Sequence, residues 1–243
     1  NAPSRTIDPI VAKKVKGAMR LSGAVQSLNP NVLKNIKRAN IKEQEIIQLA
    51  QEARALQANS YSEMIALLPE DTKESHFESN RKLLDAGFQF IRNYPLMMLW
   101  GVEVSSAETR QKFRMKTGFR VMSQCFGIYP FGNEKPIHSV EIEEICISTK
   151  DMSFEDYLEC RAFNLAIEIF YNDNILFELV EFLKLTGIKA SDLIFATFEK
   201  KNEFPPKLKK IFEDFKKETT EELSENEWEL AMRVKTPEAI AEY

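Results

Sequence analysis

Gln26 and Ser27 close an apolar run, and Arg38 follows twelve residues after Gln26. An amide, a hydroxyl and a guanidinium at one strand end would suit a carboxylate or a ribose. The planar guanidinium fork grips a carboxylate at two points. The same three residues also read as an ordinary polar strand end with a surface arginine. Glu63 stands inside a second such run, between Ser62 and Met64. An ionised group within a parallel strand is costly unless it is paired or faces a ligand. Glu63 is therefore expected either in a structural salt bridge or on a cavity. His76 and His138 are isolated, and a lone histidine is ordinarily a polar surface or capping residue. Trp100, Phe126 and Tyr129 fit either a core or the rim of a mouth. Cys125, Cys146 and Cys160 lie 21 and 14 residues apart, which matches neither a disulfide framework nor a zinc or iron–sulfur motif. They are expected as buried or semi-buried free thiols. There is no Ser-His-Asp pattern, no phosphate-binding glycine loop and no paired metal-ligand motif.

The elements that position these residues follow from periodicity. Residues 9–16 read as a helix end leading into a strand over about 17–27, where Met19, Leu21 and Val25 alternate with Arg20, Ser22 and Ala24. Asn29-Pro30 is a helix entry, since Asn caps orphan amides and proline is tolerated at the first helical position. Arg38 then falls about two turns into the helix that follows. Asn40 to Glu43 resembles a capping box for a helix to about Gln57. The second strand covers about 60–67, Asp71-x-x-Glu74 caps a helix to Ala86, and Gly87 supplies its left-handed end. A third strand over about 88–99 ends at Trp100-Gly101, and Ser105-x-x-Glu108 opens a short helix. Strand and helix thus alternate three times, the pattern of a parallel sheet, with polar groups at the carboxyl ends where such sheets place ligands.

From about 115 to 150 the texture is turn-rich and aromatic, with one strand expected in HSVEIEEICIST. Ser153-x-x-Asp156 then caps a strong helix, and 175–187, about 190–202, 205–222 and 225–233 read as short amphipathic helices. KLKKIFEDFKKETTEE carries both signs of charge and is expected as a solvated helix. Three regions result: 1–115, the α/β part; 116–150, an irregular and β connecting segment; and 151–243, a helical extension.

At 243 residues, 44% hydrophobic and 29% charged with a net charge of −4, the chain can bury one large core or one core plus a smaller domain. A mildly acidic, mixed surface argues against a nucleic-acid partner. No run is long and apolar enough for a membrane span, and no signal peptide is visible, so a cytoplasmic location is expected.

The ordered motifs carry a family resemblance. QSLNPNVLKNIKR followed by SEMIALLPEDTKESH resembles strands four and five of a radical S-adenosylmethionine (radical SAM) barrel with their helices. PLMMLWGVEVSSAETRQKF resembles the sixth strand and its exit. MKTGFRV through SVEIEEICISTKDMSFEDYLECRAFNLAIEIFYND resembles the C-terminal extension of cobalamin (B12)-binding-domain radical SAM proteins. The resemblance covers about residues 15–175. It implies an α/β fold: a partial (β/α) TIM-like barrel, later strands only, followed by a mainly α-helical region. In that family a [4Fe-4S] cluster bound by CxxxCxxC cleaves S-adenosylmethionine to a 5′-deoxyadenosyl radical. Cobalamin-binding members commonly transfer methyl groups. By this resemblance Gln26, Ser27 and Arg38 match positions contacting the amino-acid and ribose parts of S-adenosylmethionine. Glu63 matches an acidic position facing the same cofactor.

The sequence departs from the pattern. CxxxCxxC, the first three barrel strands and a corrinoid domain with its DxHxxG signature are absent. Where the family commonly has IxGLPGET, this chain has IALLPEDT, with Leu67 and Glu70 at the glycine positions and Asp71 at the acid. The expectation is the C-terminal part of a radical SAM enzyme, partnered by its own missing N-terminal half and inactive alone. Cluster and cobalamin ligands would lie outside the chain, and the substrate is unknown. The alternatives are a degenerate, non-catalytic binding or interaction module of the same fold, and an unrelated α/β enzyme using residues such as His76 and Glu63.

Overall fold

The computed structural model describes residues 21–39, 43–55, 59–130 and 136–240, together with Lys14 and Gly132. The helix end expected over 9–16, the first part of the strand expected from 17, and the Asn40 capping box lie outside these residues, Lys14 apart.

Three parallel strands form the sheet in the order β1 (Leu21–Ser22), β2 (Ser60–Ala66), β3 (Phe90–Pro95). Leu21 pairs with Ser60, and Tyr61 with Phe90. The first strand is shorter than expected. Regular pairing stops after Ser22, although Gly23, Val25 and Gln26 still donate to Tyr61 O and Glu63 O, and an isolated bridge joins Gln26 to Met64. Helices α1 (Pro30–Asn35) and α2 (Glu43–Ala55) connect β1 to β2, and α3 (Lys73–Ala86) connects β2 to β3. The mixed α/β class and the thrice-repeated alternation are as expected. Among the described residues the sheet does not close into a barrel.

The pleat of β2 sorts its residues by turns. Ser60, Ser62, Met64 and Ala66 are buried, and Tyr61, Glu63 and Ile65 are half-buried on the other face. The buried serines are satisfied. The Ser62 hydroxyl donates to Gly23 O at 2.8 Å, and Ser60 exchanges two bonds with Gln89. Against this face lies the main core: Val25, Ile46, Leu49, Leu83, Leu84, Phe88 and Ile91 meet Phe163 and Ile167 of α5 (Phe154–Phe170). The opposite face of the sheet is left open.

The outer edge of β3 is closed in two ways. At Ile91 the Asn172 side chain accepts from the amide at 3.0 Å and donates to the carbonyl at 3.1 Å, standing in for a neighbouring strand. Beyond Pro95 the chain turns to pair antiparallel with β5 (Ile137–Ser148): Met98 N donates to Glu144 O and Cys146 N to Leu96 O, both at 2.8 Å. The 116–150 region is thus more regular than its turn-rich texture suggested. β4 (Lys116–Tyr129) and β5 make one long antiparallel hairpin with register shifts between Lys116 and Thr117 and between Val121 and Phe126. Those irregularities interrupt strict alternation, which is why the pattern read as loop. Trp100, Phe126 and Tyr129 are all exposed, so none belongs to a core.

Caps differ by one residue from the sequence reading. Thr72, not Asp71, caps α3 in a reciprocal box with Ser75, because Asp71 turns inward and takes the Ser75 hydroxyl bond. Ser106, not Ser105, caps α4 (Ala107–Phe113). The Gly87 end of α3 and the Ser153–Asp156 box of α5 are as expected. Helices α6 (Phe177–Leu185), α7 (Ala190–Glu199), α8 (Pro206–Glu221) and α9 (Glu227–Arg233) follow close to their expected limits, with a last short α10 (Pro237–Ile240). The mixed-charge segment is α8, which buries Phe212 and Thr219 and pairs Lys210 with Asp214 on its outer side. No helix among the described residues is long and apolar enough to cross a membrane.

Candidate functional site

The open face of the sheet, α4 and the hairpin enclose a cleft of about 1530 Å³. The carboxyl ends of the parallel strands supply one wall through Gly23, Ala24, Gln26, Ile65 and Tyr94. Val121, Met122 and Gln124 of β4 are on its surface, and Glu103 to Lys112 form a rim.

Gln26 is on this wall. Its backbone is left-handed at φ 55°, and its side-chain Oε1 is sealed from solvent without a hydrogen-bond partner among the described residues. An unpaired buried carbonyl oxygen costs about 1–3 kcal/mol, so this acceptor is set for a donor. Arg38 is on the same wall, although not within a helix as expected. α1 stops at Asn35, Lys37 turns left-handed, and Arg38 N donates back to Leu33 O at 2.9 Å. This is the Schellman ending, and it brings the guanidinium back over β1, where Nη2 donates to Ala24 O at 2.8 Å. Ser27 is buried, and its hydroxyl accepts from Asn29 N at 3.1 Å, shaping the entry to α1 instead of facing the cleft. Glu63 lies on the open face and accepts a hydrogen bond from the Tyr61 hydroxyl, with Arg92 opposite it in register. Burial, and then Glu63 and Tyr94 beside it, hold the Tyr61 phenol above its ordinary range. Gln26 and Arg38 are therefore brought together; Ser27 lies beneath them and Glu63 further along the sheet.

Five further cleft residues were not singled out from sequence: Arg92, Tyr94, Arg120, Glu143 and Arg161. Phe90, Arg92 and Tyr94 occupy every second position of β3, in register with Tyr61, Glu63 and Ile65, so the period-two pattern carried a signal for them. The Arg120–Glu143 ion pair, 2.7 Å, is a cross-strand contact of the hairpin, visible only once both strands are recognised.

Two titratable groups lie deep in the fold, away from this wall. Asp71 is 1% exposed, and burial pushes its carboxyl up to about 7 despite the Ser75 hydroxyl and Thr72 amide. His76 is fully buried, contrary to the surface or capping role expected. It lies on the α3 face that packs against α5, and Nε2 donates to Asn164 Oδ1 at 3.2 Å. Burial lowers its imidazole to about 4. The thiols are free, as expected: Cys146 and Cys160 are buried, Cys125 half-buried. Burial pushes Cys146 up to about 12 and raises Cys160 as well, so neither is poised as a thiolate ligand or nucleophile. Among the described residues no group of three His, Cys, Asp or Glu side chains is placed to hold a metal ion.

The loop after β2 has a backbone its side chains do not favour. Leu67 and Glu70 both adopt left-handed conformations, φ 67° and 64°. Glycine is the residue such positions ordinarily take.

No family model matches the chain, and no curated protein sequence matches it. Among solved structures it aligns with coproporphyrinogen III oxidase (HemN) from Escherichia coli, described as a radical SAM enzyme, at 24% identity and a TM-score of 0.33. The alignment covers 44% of this chain, which spans about a quarter (24%) of that protein. A TM-score of 0.33 lies below the level of a shared fold.

Proposed function

We propose that the cleft binds S-adenosylmethionine and that the chain is the later part of a radical SAM partial barrel, of the cobalamin-binding type. The observation that carries this reading is Gln26: a sealed, partnerless amide oxygen on the cleft wall at the carboxyl end of β1, beside Arg38. An acceptor so placed suits the ammonium, ribose hydroxyl or adenine amine donors of that cofactor. The Arg38 guanidinium would take its carboxylate, Glu63 would accept from hydroxyls on the open face, and Ser27 would hold the Gln26 turn in place. The left-handed backbone at Leu67 and Glu70, where the resembled family has glycines, supports the same reading from an independent part of the chain.

S-adenosylmethionine, when bound in such proteins, supplies a carbon radical or a methyl group. The described residues do not fit the iron–sulfur cluster, since no metal-holding group is found and two of the three thiols are buried and protonated. Cluster and corrinoid would have to be held by polypeptide outside these 243 residues, and the chain alone is expected to carry out no radical chemistry. A second reading, a non-catalytic module of the same ancestry, is favoured by the Asn172 closure of β3, which makes that edge self-sufficient.

Titration calorimetry separates the two. Saturable binding of S-adenosylmethionine that weakens about tenfold in Gln26→Ala supports the first. A folded protein without binding supports the second.

A further inference from the structure

Where α5 borders the cleft, Arg161 on the wall and Tyr157 in the core beneath it each carry a buried hydrogen-bond donor with no acceptor among the described residues. Arg161 is on the cleft surface, its Nε–H is sealed from solvent with no partner, and its guanidinium rests 5.0 Å from the centre of the Phe215 ring. One turn earlier on the same helix, Tyr157 is fully buried and its hydroxyl is also unpaired. Residues four apart share a helix face. The phenol accordingly feels the charges of Arg161, Arg120, Glu222 and Glu143. Burial raises the phenol above its ordinary value, so it remains an O–H donor at neutral pH.

The neighbouring carboxylates are already engaged. Arg120 donates from Nε to Glu143 at 2.7 Å and from Nη1 to Glu222 at 2.8 Å. Arg161 forms no such pair among the described residues, and a guanidinium cannot accept the phenol's proton. One donor on the cleft wall and one in the core beneath it call for an oxygen acceptor that the described residues do not supply. The Phe215 ring attracts the guanidinium and helps to hold it in place. Glu143 and Glu222 are close enough to repel a second negative charge.

We propose that Arg161 and Tyr157 form a subsite for a single carboxylate group of a molecule lodged in the cleft, separate from the Gln26–Arg38 wall. The Arg161 guanidinium takes one carboxylate oxygen or both, and the Tyr157 hydroxyl donates to one of them. This goes beyond the cofactor reading and does not depend on it.

The test is heteronuclear NMR of the Arg161 Nε–H resonance and of the Arg120 and Glu143 amides. The protein is titrated at about pH 7.5 with acetate, a monoanion, and separately with inorganic phosphate, at fixed ionic strength. The expected result is a saturable acetate shift with a dissociation constant of about 1–10 mM. Phosphate, largely dianionic at this pH, should give a several-fold weaker response. Arg161→Gln, followed through the amides, should weaken acetate at least tenfold, and Tyr157→Phe, which keeps the ring, about threefold. Should Arg161→Gln fail to fold, Tyr157→Phe and the phosphate comparison decide. No saturable acetate shift, equal response to phosphate, or unchanged affinity in the variants that fold would overturn the proposal. S-adenosylmethionine calorimetry on the same variants separates this subsite from the cofactor wall, since it should be unaffected.

Discussion

Asp71 and His76 are buried close together in sequence and pull the pH dependence of stability in opposite directions. Replacing either should unmask the other. The folded-state carboxyl of Asp71 stands at about 7 against an ordinary 3.8. Its contribution is therefore fully present below about 4 and is lost as pH rises through 7. The imidazole of His76 stands at about 4 against 6.5. Its contribution is present above 6.5 and is lost as pH falls through 4. At 1.36 kcal/mol per unit, the two effects are about 4 and about 3 kcal/mol. They overlap between about pH 4 and 6.5, so these two groups nearly cancel in the native protein. In Asp71→Asn, which keeps the shape and can still accept from Ser75, only the His76 term remains. Stability relative to the parent should rise by up to about 4 kcal/mol at pH 8, an advantage that shrinks as pH falls from 7 towards 4, while the variant's own stability declines on acidification below 6.5. In His76→Gln the sign reverses, and the variant gains on the parent as pH drops from 7 towards 4. Urea unfolding at half-unit steps from pH 4.5 to 8 reads both slopes. An Asp71→Asn profile parallel to that of the parent would refute the argument, since it would mean the carboxyl titrates alike in the folded and unfolded chain.

Three other substitutions test local pieces of the account. Glu70→Gly relieves a left-handed side chain at φ 64° and should raise stability by about 1 kcal/mol, seen as a higher urea midpoint with unchanged slope. Asn172→Ala strips the Ile91 amide and carbonyl of their edge partner. It should cost about 3 kcal/mol and speed hydrogen exchange at Ile91. Ser62→Ala leaves Gly23 O without its buried donor and should cost about 1–2 kcal/mol in the same unfolding assay.

Strand–helix alternation was legible because each β-run ended in a named cap or a proline. The turn residues at Asn29-Pro30, Gly87 and Ser153 recorded in sequence the breaks that the backbone makes. The hairpin was only half legible: its register shifts blur the period of two, so β4 read as irregular while β5 did not. The position of Arg38 depended on a Schellman turn whose left-handed residue is Lys37, where a glycine would have announced it. Burial of His76 and the inward turn of Asp71 are tertiary facts. Both residue types are ordinarily solvated, and only the packing of α3 on α5 encloses them. Of the cleft, the β1 end was readable from residue types at a strand terminus. The Arg120–Glu143 pair and Arg161 come from segments 94 to 135 residues away from Gln26, whose proximity no local pattern encodes.

Calorimetry with S-adenosylmethionine on the wild-type chain and on Gln26→Ala decides whether Gln26 and Arg38 face a ligand of that chemistry, as we propose. The expected result is saturable binding that falls about tenfold when the sealed amide oxygen is removed. The same affinity in Gln26→Ala, or no heat of binding to a folded wild-type protein, would contradict it.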